Sequence, residues 1–140
     1  MDGEICIRPV GVVRVEGGRH RIEIHPEFED GLLGVAPGDR LQVLYWMHRL
    51  DEKDRRVLRC HPRGDRRRPL RGVFGLRSPM RPNPIGSTEV TVLEVDGRVL
   101  TVEGLDALDG SPVVDLKVAW WRDDSQAPAW WTDPPEPRQG

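Results

Sequence analysis

The stretch TEVTVLEVDGRVLTVEG, residues 88–104, predicts a β-hairpin and with it the architecture of the chain. Apart from the adjacent pairs Val92-Leu93 and Val99-Leu100, valine and leucine alternate with polar residues in both halves, 88–95 and 98–104, which is the period of a strand with one buried face. Asp96-Gly97 separates the two runs and suits a two-residue turn, because both residue types tolerate positive φ. We therefore expect a domain built from antiparallel strands.

The same alternation recurs before and after the hairpin. We expect further strands within 5–15 and at 22–24, 40–46, 56–60 and 113–121. Helix signals are scarce: PEFEDGLLGV (26–35) has room for one short turn before Pro37-Gly38 ends it. Six or seven short strands favour an all-β fold, a closed or nearly closed antiparallel barrel with long loops, because closure leaves few exposed edges. The fold is expected to be non-Rossmann, since no G-x-G-x-x-G follows a strand.

The length of 140 residues predicts one domain. We expect the barrel to occupy residues 1–122, followed by a Pro-rich extension over 123–140 that lacks periodicity. Trp130 and Trp131 in this extension should pack on the barrel or on a partner chain, because they are costly to leave in water. The acidic N-terminus does not resemble a signal peptide, and no apolar run is long enough to cross a membrane. We expect a cytoplasmic protein with no membrane partner.

Cysteine and histidine usage gives no sign of a metal site. Cys6 and Cys60 are far apart and neither belongs to a CxxC pair, so we expect two buried small hydrophobic side chains, with a disulfide as the alternative. The four histidines show no metal-ligand spacing. We expect no bound metal.

Positive charge is concentrated in one segment. Residues 53–81 contain one Lys and ten Arg against two Asp, a net charge of +9, whereas the whole chain carries −2. This asymmetry favours an anionic partner, nucleic acid first; the alternative is a solvated basic loop. The candidate RNA-binding residues are Arg63, Arg66, Arg67, Arg68 and Arg71.

The stretch RSPMRPNPIG (77–86) predicts a rigid loop that carries two arginines. Ser78, Arg81 and Asn83 each precede a proline, which restricts their backbone angles as well as those of the prolines. Held in this way, Arg77 and Arg81 suit the bidentate capture of a carboxylate or phosphate. We take Arg77, Arg81 and Asn83 as positioning candidates; the alternative is a structural loop with exposed arginines.

The stretch GLDALDGSPVVD (104–115) joins two predicted strands. Asp106 and Asp109 are three residues apart in a turn that contains Gly110, which allows close backbone approach to a ligand. Carboxylates in such a turn can bind ribose hydroxyls or an amine. The alternative, that they cap their own backbone, is favoured on this stretch alone.

A third candidate is YWMHRL (45–50), where a predicted strand ends. His48 and Arg49 follow an apolar run, at the position where side chains reach the rim of a barrel. Arg49 would add to the basic face, whereas a single histidine is more often structural than catalytic. No nucleophile–base pair is visible and the serines lack a G-x-S-x-G setting, so hydrolysis is poorly supported.

Taken together, four segments resemble the TsaA-like, or TrmO-type, methyltransferases. They are YWMHR (45–49), HPRGDRRRPLRGVF (61–74), FGLRSPMRPNPIG (74–86) and GLDALDGSPVVDLK (104–117). The resemblance covers roughly residues 5–120. It implies a small barrel domain that binds S-adenosyl-L-methionine and a homodimer with the cofactor near the subunit interface. The activity that it implies is methylation of N6-threonylcarbamoyladenosine in the anticodon loop of tRNA.

The resemblance also implies a set of cofactor-binding residues: His48, Arg49, Arg77, Ser87, Asp106, Asp109, Gly110, Ser111, Pro112 and Val113. It identifies no catalytic base. The basic segment favours a tRNA substrate, since phosphate contacts supply most of such affinity. The alternatives are a methyltransferase for a small metabolite, a non-catalytic S-adenosyl-L-methionine-binding module, and a general RNA-binding barrel. The last is disfavoured because Tyr and Phe, two of the residue types that stack on bases, number only one and two in the chain.

Overall fold

The computed structural model describes residues 3–120. The strands are β1 Gly11–Glu16, β2 Arg19–Ile24, β3 Arg40–Trp46, β4 Arg59–Cys60, β5 Arg71–Gly72, β6 Ile85–Asp96, β7 Val99–Glu103 and β8 Pro112–Trp120. The α-helix α1 spans Glu52–Arg55, and 3-10 helices span Pro26–Leu32, Pro62–Gly64 and Val73–Gly75. Within residues 3–120, no helix has the length and apolar character needed to cross a membrane.

Six strands close into a barrel in the order β1-β2-β7-β6-β3-β8, and β8 pairs again with β1. All of these pairs are antiparallel. β4 and β5 form a separate two-stranded sheet in the long connection between β3 and β6. Each barrel strand has a neighbour on both sides, so the barrel leaves few unpaired edges. The predicted all-β barrel is confirmed.

The core lies inside the barrel, because alternate residues of each strand point inward. In β3 the inward positions are Leu41, Val43 and Tyr45, and all three are buried. Val92 of β6 and Leu100 of β7 belong to the same hydrophobic cluster. The period of two in the sequence is therefore the alternation between core and solvent.

Two glycine-containing turns connect barrel strands. Asp96-Gly97 joins β6 to β7 as predicted, with Gly97 at φ 58°. Gly17-Gly18 joins β1 to β2, with φ values of 55° and 76°. The hydrophobic pattern does not predict this second hairpin, because the first half of β2 consists of polar residues.

The predicted strand at 56–60 is largely wrong. Only Arg59–Cys60 forms a strand, β4, and it lies outside the barrel. Arg56 instead terminates α1 with helical backbone angles. This helix begins at a capping box in which Asp51 Oδ1 accepts from Asp54 N at 2.9 Å and Asp54 Oδ2 accepts from Asp51 N at 3.1 Å. The box satisfies backbone donors at the helix start and favours a helical turn over a strand.

Three smaller expectations have different outcomes. The short turn expected within 26–35 is the 3-10 helix Pro26–Leu32. The expected burial of the cysteines is wrong: both are free, Cys6 is exposed ahead of β1, and Cys60 on β4 is only partly covered, because neither lies inside the barrel. The expected boundary at 122 and the extension over 123–140, with its two tryptophans, lie outside the described residues.

Candidate functional site

Residues 104–111, hereafter the mouth turn, connect β7 to β8 across one end of the barrel. The turn also completes the seam between β1 and β8 beyond the point where the two strands pair. Val13 N donates to Ser111 O at 2.9 Å, and Gly110 N donates to Val13 O at 2.8 Å. The position of the mouth turn is therefore set by the wall of the barrel.

Asp109 is part of this seam. Its Oδ1 accepts a hydrogen bond from Val15 N at 2.8 Å. The Ser111 hydroxyl is buried and donates to Leu108 O at 2.6 Å, within the mouth turn. These two polar side chains satisfy backbone groups, as the structural alternative for this stretch proposes, although the Asp109 partner lies on β1 rather than in the turn itself.

Asp106 ties the mouth turn to the opposite side of the barrel. The Tyr45 hydroxyl donates to Asp106 Oδ1 at 2.9 Å, and the Thr88 hydroxyl donates to the same oxygen at 2.7 Å. Tyr45 lies near the end of β3 and Thr88 near the start of β6. Neither hydroxyl donates to Asp106 Oδ2.

Protonation of this network follows from its surroundings. Partial burial by itself would raise the pKa of the Asp106 carboxyl. The hydrogen bonds from Thr88 and Tyr45, a bond from its own backbone and the nearby His20 outweigh this effect and lower the pKa. Burial and the hydrogen bond to Asp106 raise the pKa of the Tyr45 hydroxyl. At neutral pH, Asp106 is therefore a carboxylate held by two neutral hydroxyls.

Gly86, the last residue of the RSPMRPNPIG stretch, makes room for the Tyr45 ring. The two residues are directly opposite each other in the ladder between β3 and β6. A Cβ at Gly86 would lie 2.5 Å from Tyr45 Cε2 and 2.7 Å from Cε1, and closer still to Cζ. The ring thus packs flat on the backbone, which only glycine permits. The loop motif and the Asp106 network are linked through this contact.

A cavity of about 260 Å³, hereafter the mouth cavity, lies beside this network. It is lined by Tyr45, Met47, His48, Arg49, Leu50, Pro79, Asp106, Ala107, Leu108 and Ser111. A Cβ at Gly110 would lie 3.8 Å from His48 Nε2, so the end of β3 approaches the mouth turn closely. The fold therefore brings His48, Arg49, Asp106 and Ser111 together. The inward position of Tyr45 in β3 could have identified it as a cavity residue, whereas no sequence pattern indicates that Pro79 and Leu108 line this cavity.

Three of the other expected cofactor-binding residues lie in the barrel wall. Ser87 Oγ accepts a hydrogen bond from Gln42 Nε2 at 2.8 Å, between β6 and β3. Val113 is fully buried in the core, and the adjacent Pro112 is half-buried at the start of β8. None of these three residues lines the mouth cavity.

The two arginines of residues 77–86, hereafter the braced loop, have different surroundings. Arg81 is half-buried, and its Nε donates to Ser78 O at 2.8 Å while Nη2 donates to Val73 O and Leu76 O. Its guanidinium therefore holds the loop together. Arg77 is exposed and donates from Nη1 to Ser87 O at 3.1 Å. Of the two, Arg77 is the one placed to bind a ligand.

The braced loop is also held from outside. Arg55 of α1 donates from Nε to Pro82 O at 2.9 Å, and its guanidinium carbon lies 5.3 Å from the centre of the Trp46 ring. Asn83, a positioning candidate, is exposed, and its carbonyl accepts from Ile85 N at 2.7 Å. Sequence reasoning misses Arg55, because a contact with the carbonyl of Pro82 leaves no pattern in the chain.

A second and larger cavity of about 800 Å³, hereafter the basic cleft, lies between β4, the 3-10 turn at Pro62–Gly64 and the braced loop. Its lining includes five arginines: Arg59, Arg63, Arg66, Arg68 and Arg77. Pro79 lines both this cleft and the mouth cavity, so the two cavities adjoin. The braced loop and the mouth turn therefore meet at one site.

The predicted RNA-binding arginines are divided by the structure. Arg63, Arg66 and Arg68 line the basic cleft, whereas Arg67 and Arg71 do not. Arg67 forms an ion pair with Asp65, with Nε 3.0 Å from Oδ1. The side-chain and backbone hydrogen bonds from Arg67 lower the pKa of the Asp65 carboxyl. Among residues 3–120, no group of three or more potential metal ligands comes together.

The chain matches a known protein family and proteins of several organisms. The family described as the tRNA-methyltransferase O N-terminal domain matches residues 8–125. A probable S-adenosyl-L-methionine-binding protein of Methanocaldococcus jannaschii is 40% identical over 113 residues, which cover 80% of this chain and 90% of that protein. An S-adenosyl-L-methionine-binding protein of Archaeoglobus fulgidus is 42% identical over 127 residues, covering 81% of this chain and 88% of that protein.

Among solved structures, the crystal structure of TrmO from Pseudomonas aeruginosa superimposes with a TM-score of 0.63 at 21% sequence identity. The match covers 98% of this chain but only 62% of that one. At this level of identity the superposition establishes a shared fold.

Proposed function

Since the chain belongs to the tRNA-methyltransferase O N-terminal domain family, we propose that it is an S-adenosyl-L-methionine-dependent methyltransferase that acts on tRNA. The observation that carries this proposal is the meeting of the braced loop and the mouth turn at Pro79, beside a cavity lined by both the Asp106 carboxylate and Arg49. The cofactor has a carboxylate, an ammonium group, a ribose and an adenine, so a site that binds it needs both positively and negatively charged side chains.

The residues around the mouth cavity fit the cofactor chemically. Arg49 and Arg77 supply cations for its carboxylate, and the Asp106 carboxylate can accept from its ammonium group or ribose hydroxyls. Leu50 and Leu108 offer apolar surface for the adenine. At about 260 Å³ the cavity is slightly smaller than the roughly 300–1,000 Å³ of most small-molecule sites. Part of the cofactor would therefore extend beyond it, toward the exposed Arg77.

When bound, the cofactor would supply a methyl group on a sulfonium sulfur, which departs as a neutral thioether while the acceptor nitrogen releases its proton. The protein then has to hold the acceptor nitrogen in line with that methyl group and keep water away. Tyr45 and Thr88 keep Asp106 in one orientation, and Arg81 and Arg55 keep the braced loop in one shape. This rigidity is the contribution expected of a chain in which we identify no acid–base pair.

We propose N6-threonylcarbamoyladenosine in the anticodon loop as the acceptor and the N6 nitrogen as the methylated atom. The four family-like segments and the +9 charge of residues 53–81 support this choice. The proposal includes a cytoplasmic homodimer. Phe74 is 84% exposed and Leu58 is 58% exposed, and both lie in the connection around β4 and β5. Both side chains are available for contact with a second copy of the chain.

Two measurements test the proposed function. Isothermal titration calorimetry should detect S-adenosyl-L-methionine binding, and Asp106→Ala should weaken it. Incubation with tRNA from a strain that lacks this gene should convert threonylcarbamoyladenosine into a product heavier by one methyl group, as detected by nucleoside mass spectrometry. Binding without methylation of any tRNA would favour a binding module or a metabolite methyltransferase, and absence of binding would refute the proposal.

A further inference from the structure

The basic cleft concentrates cations without matching anions. Five arginines contribute to its lining, and no Asp or Glu does so among the described residues. Like charges confined around about 800 Å³ repel one another, which costs stability unless an anion enters. A cleft built in this way is expected to bind a polyanion.

The cleft arginines have few partners inside the protein. Within residues 3–120, Arg59, Arg63 and Arg66 form no ion pair or side-chain hydrogen bond. Arg68 approaches Asp65 only loosely, with Nε 3.8 Å from Oδ2. In contrast, Arg67 makes two close side-chain hydrogen bonds to the same carboxylate, of 3.0 and 3.2 Å. Arg59, Arg63 and Arg66 are thus the cleft arginines available to an external anion.

The loop that carries these arginines is organised before any ligand binds. His61 Nδ1 donates to Arg68 O at 2.8 Å and joins the two ends of the loop. Inside it, Gly64 N donates to His61 O at 2.9 Å, and Arg68 N donates to Asp65 O at 3.0 Å. Such ordering lowers the entropic cost of binding, because the cationic side chains start from a fixed backbone.

Arg63 occupies an unusual backbone conformation in this loop. Its φ of 56° makes it the one non-glycine residue with positive φ in the described part of the chain. An L-amino acid is less stable in this region than in the right-handed region, because its Cβ lies close to the following carbonyl oxygen. Glycine would be more favourable here, so an arginine at this position lowers the stability of the folded chain.

From these observations, and resting on the proposed function, we infer that the basic cleft binds the phosphodiester backbone of the RNA next to the acceptor nucleotide. Arg59, Arg63 and Arg66 contact the phosphates. Met80 and Leu76 at the braced-loop side provide apolar surface for a base. Because Pro79 borders both cavities, phosphates held here bring the neighbouring nucleotide to the mouth cavity. The cleft therefore sets which nucleotide faces the methyl donor.

The test uses the full chain and a synthetic anticodon stem-loop RNA. Arg63→Ala and Arg66→Ala are compared with Arg67→Ala, which removes the same charge from a 91% exposed side chain outside the cleft. Affinity is measured by fluorescence anisotropy over a range of salt concentrations. Each cleft variant should bind roughly tenfold more weakly, and its slope of log K against log salt should fall by about 0.7 to 0.9. Arg67→Ala should change the affinity less than about twofold.

Equal losses in all three variants would overturn the inference, because the effect would then be general electrostatic attraction. Cofactor affinity, measured by calorimetry, should be unchanged in all three. If the cleft variants lose RNA affinity but the wild type methylates no tRNA, the proposed function fails while the cleft assignment stands. If tRNA is methylated with an unchanged KM in the Arg63→Ala, Arg66→Ala double variant, the cleft assignment fails alone.

Discussion

Gly86→Ala provides a quantitative test of how the braced loop and the mouth turn are linked. The added Cβ would sit within 2.7 Å of three atoms of the Tyr45 ring. The ring cannot move away easily, because Tyr45 is only 6% exposed and its hydroxyl is bonded to Asp106. Overpacking of a core costs about 1–3 kcal/mol. We expect about 3 kcal/mol here, since the ring must shift and its hydrogen bond is strained.

The free energy of unfolding can be followed by tryptophan fluorescence in urea. Gly31→Ala is a suitable control, because a Cβ there meets no atom within 4 Å and φ is not positive. This variant should stay within about 0.5 kcal/mol of the wild type. Gly86→Ala should lower the transition midpoint without changing the slope.

A double-mutant cycle identifies the cause. Tyr45→Leu removes Cε1, Cε2 and Cζ, which are the three atoms that the new methyl group would meet. In that background, Gly86→Ala should cost less than about 0.5 kcal/mol, which gives a coupling energy of about 2.5 kcal/mol. If Gly86→Ala destabilises both backgrounds equally, or destabilises neither, the proposed contact does not explain the glycine.

Three further outcomes follow from the same geometry. The lowered pKa of Asp106 adds stability at pH values above the ordinary Asp pKa of about 3.9, and this contribution is lost as the pH falls through the pKa of the folded state. The Asp106→Asn variant should therefore lose less stability than the wild type between pH 6 and pH 3, as measured by urea unfolding. The Arg63→Gly variant should match Arg63→Ala in RNA affinity but be more stable in thermal unfolding, by up to about 1 kcal/mol, because only glycine adopts the positive φ without strain. Equal stabilities of the two variants would mean that the backbone at residue 63 is unstrained. Arg81→Ala and Arg81→Lys should both speed amide hydrogen exchange in residues 77–86 and lower cofactor affinity. A single ammonium group cannot replace a planar guanidinium bonded to three carbonyls, so wild-type values in the lysine variant would contradict this role.

Local pattern was sufficient to predict much of the fold. Alternation in 40–46 marked Leu41, Val43 and Tyr45 as the buried face of β3, because a strand places every second side chain on the same side. Asp96-Gly97 indicated a hairpin because both residue types tolerate the positive φ that a two-residue turn requires. The proline spacing of residues 77–86 likewise indicated a stiff loop, since proline restricts its own backbone and that of the preceding residue.

The roles of individual charged residues could not be predicted in this way. Arg77 and Arg81 belong to the same motif, yet only Arg81 turns back onto the carbonyls of its own loop. Arg67 lies between two residues of the basic cleft but pairs with Asp65 instead. Charge counts and spacing contain no information on the direction in which a side chain leaves an irregular backbone.

By itself, the sequence determined the strand period, the hairpin at 96–97 and the four segments that resemble a methyltransferase family, because each depends on neighbouring residues. Tertiary structure alone decided that Tyr45 reaches Asp106 and that Pro79 joins two cavities. Those contacts connect residues far apart in the chain, and they exist only because barrel closure fixes the register of β3, β6 and β8 and stretches the mouth turn across their ends.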